Sequence, residues 1–274
     1  MTVLPDLPVR VEVIPGENLV EKLRAHLPAP ATVTVTCLPQ HGPRAAVDLA
    51  VELAAAGYTA VPHLAARSVA DRTELGDHVG RCLDAGITDV FVIGGDAPVA
   101  AGPYVWSGAL MEEVAGLSGG ALRMGIAVYP EGHPATAEDA LLTTLRSKQD
   151  LASWCVTQLC FDPDTVRTFP AKLRAEGITL PVWAGIPGPV RMSRLLRLAG
   201  SIGVGQSLGF LKRSAGGSNS GSVLRQLVTS ASYDPAPLVE ALDGAGYAGL
   251  HLYSFNDLAE LADSGLVGPV APGS

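Results

Sequence analysis

The run GIAVYPEGHP at 125–134 begins as a strand and ends in a rigid polar turn. Pro130 and Pro134 stop strand pairing and stiffen the backbone, and Gly132 permits the reversal. Tyr129, Glu131 and His133 are thereby held in fixed relative positions, which suits side chains that meet a ligand. A second chemically loaded stretch is VRVEVI at 9–14, where Glu12 interrupts an apolar strand. Successive strand residues face opposite sides, so Glu12 points either into a barrel interior or into a surrounding helix layer. Burying a carboxylate is costly and raises its pKa. An enclosed Glu12 is therefore expected to stay protonated near neutral pH and to act as a general acid. The plain alternative is a glutamate paired with a basic residue.

Asp96, in IGGDAP, follows two glycines that let the backbone approach a ligand closely. A helix cap or a turn would equally explain an Asp there. His63 and His133 lack a third ligand at metal-binding spacing, and there is no HExxH, so no metal site is expected. No GxSxG elbow is present, and the cysteines have no evident base partner. Lys148 falls on a helix rather than a strand, which makes it a charged helix-end residue before a Schiff-base lysine.

The elements that must position these residues alternate regularly. Strands are predicted at 9–14, 32–37, 59–64, 89–94, 123–129, 154–160, 181–186 and 249–255, each rich in β-branched or aromatic residues. Between them lie Ala- and Leu-rich segments with apolar residues at helical spacing, several stopped by glycine at Gly57, Gly86, Gly177 and Gly200. Eight βα units in 274 residues predict a single (β/α)8 TIM barrel over 1–274. A doubly wound sheet competes, but PGENL after the first strand is no GxGxxG, and GVGQSLG at 203–209 has the wrong spacing. The Gly/Ser stretch SAGGSNSGS at 214–222 is expected to be flexible, as a linker or as a lid over the barrel mouth. Barrel sites lie at the C-terminal strand ends. Glu12, Thr36, His63, Asp96, Tyr129, Gln158 and Tyr253 all fall there, so they are expected to share one pocket.

Composition agrees with an enzyme of small molecules. The chain is 47% hydrophobic and 17% charged, enough for a sizeable core, and its net charge of −8 speaks against nucleic acid or an anionic membrane as partner. No stretch reaches the roughly 18–20 uninterrupted apolar residues of a spanning helix, and MTVLPDLPVR has no signal-peptide core. A cytoplasmic location follows as the expectation. Cys37, Cys82, Cys155 and Cys160 form no CxxC pair and are expected to be buried free thiols.

Several of these stretches, in order, resemble the methylenetetrahydrofolate reductase family. VEVIP at 11–15 resembles its first-strand FEFFPP, PHL at 62–64 its AAPHL, and IGGDAP its LRGDPP. AVYPEGHP is almost the family's own fifth-strand sequence, TQLCFD at 157–162 resembles TQLFFD, and HLYSFN resembles HFYTLN. The resemblance implies reduction of 5,10-methylenetetrahydrofolate to 5-methyltetrahydrofolate by NAD(P)H, usually through bound FAD, within one-carbon metabolism and methionine biosynthesis. It implies Glu12 as the acid at N10, Asp96 as stabiliser of the electron-poor pterin, and Gln158 as a ligand of its polar edge, with Tyr253 beside the substrate. It implies a cofactor role for Thr36, His63, Tyr129, His133 and Lys148.

The departures concern the flavin. The family's phosphate-binding arginine is Gly94 here, and Trp106 stands where the family keeps a small residue against the flavin. Losing that arginine removes a charge-assisted contact, and a Trp adds bulk. FAD is therefore doubtful, and direct hydride transfer from the nicotinamide is expected. An FAD-dependent reductase and a non-catalytic pterin-binding barrel are the alternatives. The lack of an Arg cluster for a 2′-phosphate favours NADH over NADPH. A homo-oligomer stays open.

Overall fold

A computed structural model describes residues 7–133, 136–190 and 233–267. Eight parallel strands close into a barrel in sequence order. They are β1 (Val9–Val13), β2 (Thr32–Val35), β3 (Thr59–Ala65), β4 (Asp89–Ile93), β5 (Arg123–Val128), β6 (Trp154–Thr157), β7 (Val182–Pro187) and β8 (Gly249–Tyr253). The helices described are α1 (Leu19–His26), α2 (Gly42–Ala55), α3 (Arg72–Asp84), α4 (Ser107–Ser118), α5 (Glu138–Lys148), α6 (Pro163–Ala175), α7 (Ala236–Glu240) and α8 (Leu258–Asp263). The single (β/α)8 barrel expected from the alternation is the fold. The segment 214–222, Gly200 and the stretch 203–209 lie outside the described residues.

Local signals set the element ends. Asp71 caps α3 by accepting from the Glu74 N–H at 2.9 Å, and the Glu74 carboxylate reaches back to the Ala70 N–H at 2.6 Å. Gly57, Gly86 and Gly177 take positive φ values of 90°, 72° and 78° where α2, α3 and α6 stop. Three strands end at least two residues earlier than their composition suggests, β8 stopping at Tyr253 shortly before the positive-φ residues Phe255 and Asn256. β2 stops at Val35 and β6 at Thr157, because the chain turns away after one further ladder bond each, from Thr36 to Val13 and from Gln158 to Val128.

The barrel axis is filled by unusual partners. The Arg10 guanidinium lies 4.0 Å from the Trp154 ring and 3.8 Å from the Trp183 ring, a double cation–π contact in a desolvated setting. Each indole covers a glycine of the neighbouring strand: a Cβ at Gly125 would come within 2.2 Å of Trp154, and one at Gly249 within 2.3 Å of Trp183. This plug lies one residue pair below Glu12 along β1 and forms the floor of the site above it.

Candidate active site

The end of β1 is clasped by the turn after β8. Asn256 accepts from the Ile14 N–H at 2.8 Å and donates to the Ile14 carbonyl at 2.7 Å, while the Ser254 hydroxyl donates to the Glu12 carbonyl at 2.5 Å. Phe255 and Asn256 pay for this clasp with positive φ values of 50° and 60°. The result is a fixed Glu12 backbone with the side chain turned into the barrel.

There the Thr36 hydroxyl donates to Glu12 Oε1 at 2.8 Å, His251 Nε2 lies 3.0 Å from Oε2, and His63 Nε2 lies 3.6 Å from the same oxygen. The Glu12 side chain is 14% exposed, those of His63 and His251 5% and 1%. Burial alone would raise the Glu12 pKa. The hydrogen bond with His251, the neighbouring His63 and the Thr36 hydroxyl outweigh burial and hold it below the ordinary carboxylate value. The expectation that enclosure raises the Glu12 pKa is thus corrected in direction: Oε1 accepts from Thr36, Oε2 lies in hydrogen-bond contact with His251, and the pKa is held down rather than up. His63 is pushed the other way, down to about 4, by burial first, against the raising effect of Glu12. It is therefore neutral at pH 7 and packs on Phe91 at 4.7 Å between ring centroids. With His63 uncharged, the direct bond with His251 is the stronger hold on Glu12.

Tyr253 braces His251. Its hydroxyl donates to the Thr157 carbonyl at 3.1 Å, and its ring meets His251 edge-on at 5.0 Å. Gly185 makes room for this, since a Cβ there would lie 2.9 Å from the Tyr253 ring and 2.0 Å from the Thr157 carbonyl. Burial, with Glu12 and Tyr129 nearby, pushes the Tyr253 phenol well above its ordinary value, so it stays neutral. Tyr129 and His133 meet edge-on at 5.1 Å across a turn closed by the Gly132 N–H on the Tyr129 carbonyl at 3.1 Å, with Gly132 at φ 78°. Burial and then the nearby Asp96 raise the Tyr129 phenol.

Asp96 is exposed on the β4–α4 loop. Arg67 pins that loop by donating to three of its carbonyls, Ala97 at 2.6 Å, Pro98 at 2.8 Å and Val105 at 3.3 Å. Gln158 turns its amide oxygen to the Leu159 N–H at 3.1 Å. Lys148 stands apart from Glu12: its ammonium donates to the Ser107 hydroxyl at 3.2 Å at the start of α4, and burial lowers it to about 8. It lines a cavity of about 330 Å³ with Tyr129, Glu131, Leu141, Leu145 and Phe169, between the β5–α5 turn and the helices. The Glu12 cluster does not line that cavity.

Glu12, Thr36, His63 and Tyr253 thus come together, while Tyr129 and Lys148 line a neighbouring cavity. Sequence reasoning missed His251, Ser254, Asn256 and Arg67. Period-two alternation in HLYSFN would have placed His251 on the same face as Tyr253. Among the described residues no group of three or more His, Cys, Asp or Glu could hold a metal. The four cysteines are free and buried. No described helix is long and apolar enough to cross a membrane. Of the two departing positions where the resemblance puts flavin contacts, residue 94 is a glycine, and the Trp106 ring lies across the start of α4, 2.0 Å from where a Gly108 Cβ would be.

The fold is shared with enzymes of other chemistry. Oxaloacetate acetylhydrolase, in complex with 3,3-difluorooxalacetate, superposes with a TM-score of 0.55 at 11% identity over 97% of this chain and 86% of that one. For 2,3-dimethylmalate lyase the values are 0.53 and 8%, over 94% and 79%. At such identities these likenesses speak for the barrel alone. A family model described as methylenetetrahydrofolate reductase matches residues 15–259. The match takes in Thr36, His63, Asp96, the YPEGHP turn, Gln158 and the clasping HLYSFN segment, and it starts just after Glu12, whose place rests on the contacts above. By that match, which spans most of its length, the chain belongs to the methylenetetrahydrofolate reductase family.

Proposed function

We propose that the protein reduces 5,10-methylenetetrahydrofolate to 5-methyltetrahydrofolate, with NADH or NADPH as hydride donor and without bound FAD. The observation that carries this reading is Glu12, held inside the barrel mouth by Thr36 and His251 at 2.8 and 3.0 Å. The substrate's bridging carbon is a cyclic aminal and resists hydride until a proton reaches N10 and the C–N10 bond breaks. That leaves an iminium cation at N5, which the nicotinamide hydride converts to a methyl group. Such a sequence needs a proton donor and a negative charge close together in a site that excludes water. Glu12 is the group placed to pass that proton, and Asp96 on its pinned loop supplies the negative charge. Gln158, Tyr253 and the Tyr129–His133 pair offer polar and aromatic surface to the flat rings of pterin and nicotinamide.

The flavin-free form is supported by Trp106 over the start of α4 and by Gly94 in place of a cation. NADH is favoured because no basic cluster for a 2′-phosphate is recognisable in the sequence. We assign the protein to the cytoplasm on the same reading. The test is NADH oxidation by the purified protein with methylenetetrahydrofolate, with and without added FAD, beside a visible spectrum. Full activity without a stoichiometric flavin absorbance is expected, and Glu12→Gln is expected to lower it by about 10²–10⁴-fold. A yellow holoenzyme that loses activity with its flavin would reject the flavin-free form. Full activity of the Glu12 variant would reject the acid.

A further inference from the structure

Asp96 sits on a stretch of chain that its own side chains do not hold. From Gly94 to Pro103 no residue is buried, and Val99 is 80% exposed. The first side chain after β4 to enter the core is Tyr104. The Asp96 carboxylate has no hydrogen-bond or ion-pair partner among the described residues, so its place is set by its backbone alone. That backbone is held by one residue in the short turn after β3. Arg67 donates from Nε to the Ala97 carbonyl at 2.6 Å, from Nη2 to Pro98 at 2.8 Å and from Nη1 to Val105 at 3.3 Å. Its own backbone completes the hold: its N–H donates to the Gly94 carbonyl at 3.0 Å, and its carbonyl accepts from the Ala101 N–H at 2.9 Å. The bonds therefore grip the chain on both sides of Asp96. Gly95, at φ 83°, lies so near β3 that a Cβ there would come within 3.1 Å of the Ala65 Cβ. The strand that carries His63 to Glu12 thus also carries the anchor of Asp96.

We infer that Arg67 sets the position of the Asp96 carboxylate against the folate's iminium cation, acting through the backbone it grips rather than through its charge. The inference rests on the reductase reading. A carboxylate stabilises a developing cation best when it already stands where the charge will appear; on a slack loop it would have to be ordered in every turnover. Gly94 and Gly95 give the chain before Asp96 wide conformational freedom, and the bonds to Arg67 remove it. Arg67 directs its N–H groups at carbonyls and none at a carboxylate among the described residues, so it is a positioning residue. A planar guanidinium fork can hold three carbonyls at fixed angles, which an ammonium on a flexible stem does not.

The test is a double-mutant cycle in steady-state NADH oxidation with methylenetetrahydrofolate. Arg67→Ala is expected to lower kcat about 30-fold, with KM for NADH within about twofold of wild type. Arg67→Lys is expected to lower it about tenfold although the charge is kept. In an Asp96→Asn background the step from Arg67 to Ala is expected to change kcat by less than about twofold, because no carboxylate is left to place. A merely structural arginine would give the same fold loss in both backgrounds, and that result would overturn the inference. Wild-type kcat in Arg67→Ala or in Arg67→Lys would overturn it too. Should Arg67→Ala not fold, Arg67→Lys carries the same cycle. If Asp96→Asn is slow while Arg67→Ala is not, only this inference fails; if Asp96→Asn keeps the full rate, the stabilising charge of the reductase reading fails, and this inference with it.

Discussion

Acidification should unfold this barrel partly through one histidine. His63 is buried and neutral, with its pKa lowered from 6.5 to about 4 by loss of solvent. Unfolding returns the imidazole to water, where it binds a proton below its ordinary value. A histidine with a depressed folded pKa therefore contributes stability above about pH 6.5, and that contribution is lost as pH falls toward 4 and then levels off. Two and a half pH units at about 1.4 kcal/mol each set a ceiling of about 3.5 kcal/mol, of which about 2.5 kcal/mol is lost between pH 7 and pH 4.5. Urea titrations at the two pH values would measure this in wild type and in His63→Gln. The variant also loses packing on Phe91, so its stability at pH 7 is not the readout; the difference in pH dependence is. Wild type should lose about 2.5 kcal/mol more than the variant over this interval. Equal losses would mean that His63 does not resist protonation, and the account of a neutral, desolvated imidazole beside a Glu12 carboxylate would be wrong. Glu12 adds to the same trend, because its own pKa is held down and its contribution disappears as it protonates.

Two further outcomes are expected. Asp96→Asn should slow reduction by about a hundredfold by removing the negative charge opposite the iminium, while binding of NADH stays within a few-fold; an unchanged rate in steady-state assays would remove that role. Gly249→Ala forces a Cβ to within 2.3 Å of the Trp183 ring. It should cost about 1–3 kcal/mol, read as a lowered thermal midpoint, and an undisturbed midpoint would contradict the tight packing of the barrel floor.

The barrel was legible because its signals are local. Alternation within each strand and glycine at helix ends need no knowledge of distant residues, and the strands begin within a residue of where the pattern puts them. The C-terminal ends of β2 and β6 were harder, since TVTVTC and WCVTQLC keep strand-like composition after the chain has left the ladder. The charge of Glu12 was not legible at all. Composition says that a buried carboxyl keeps its proton, but His251 arrives from 239 positions away to reverse that balance. His251 itself reads as an ordinary core residue inside an apolar strand, and Arg67 as a surface cation, until three carbonyls of another loop are seen to converge on it. Lys148 matched a family position, yet it faces Ser107 and a separate cavity, because helical register rather than motif decides where its ammonium ends up.

The indole-over-glycine pairs beneath the site tie the history of four positions together. Trp154 can persist only while position 125 has no side chain, and Trp183 only while position 249 has none. A lineage that shrinks one of these indoles opens a hole under Arg10, and one that enlarges a glycine first meets a collision, so the two members of each pair must be exchanged jointly. Related sequences should therefore display correlated substitutions at 125 with 154 and at 183 with 249, with the residue at position 10 changing whenever both indoles are lost.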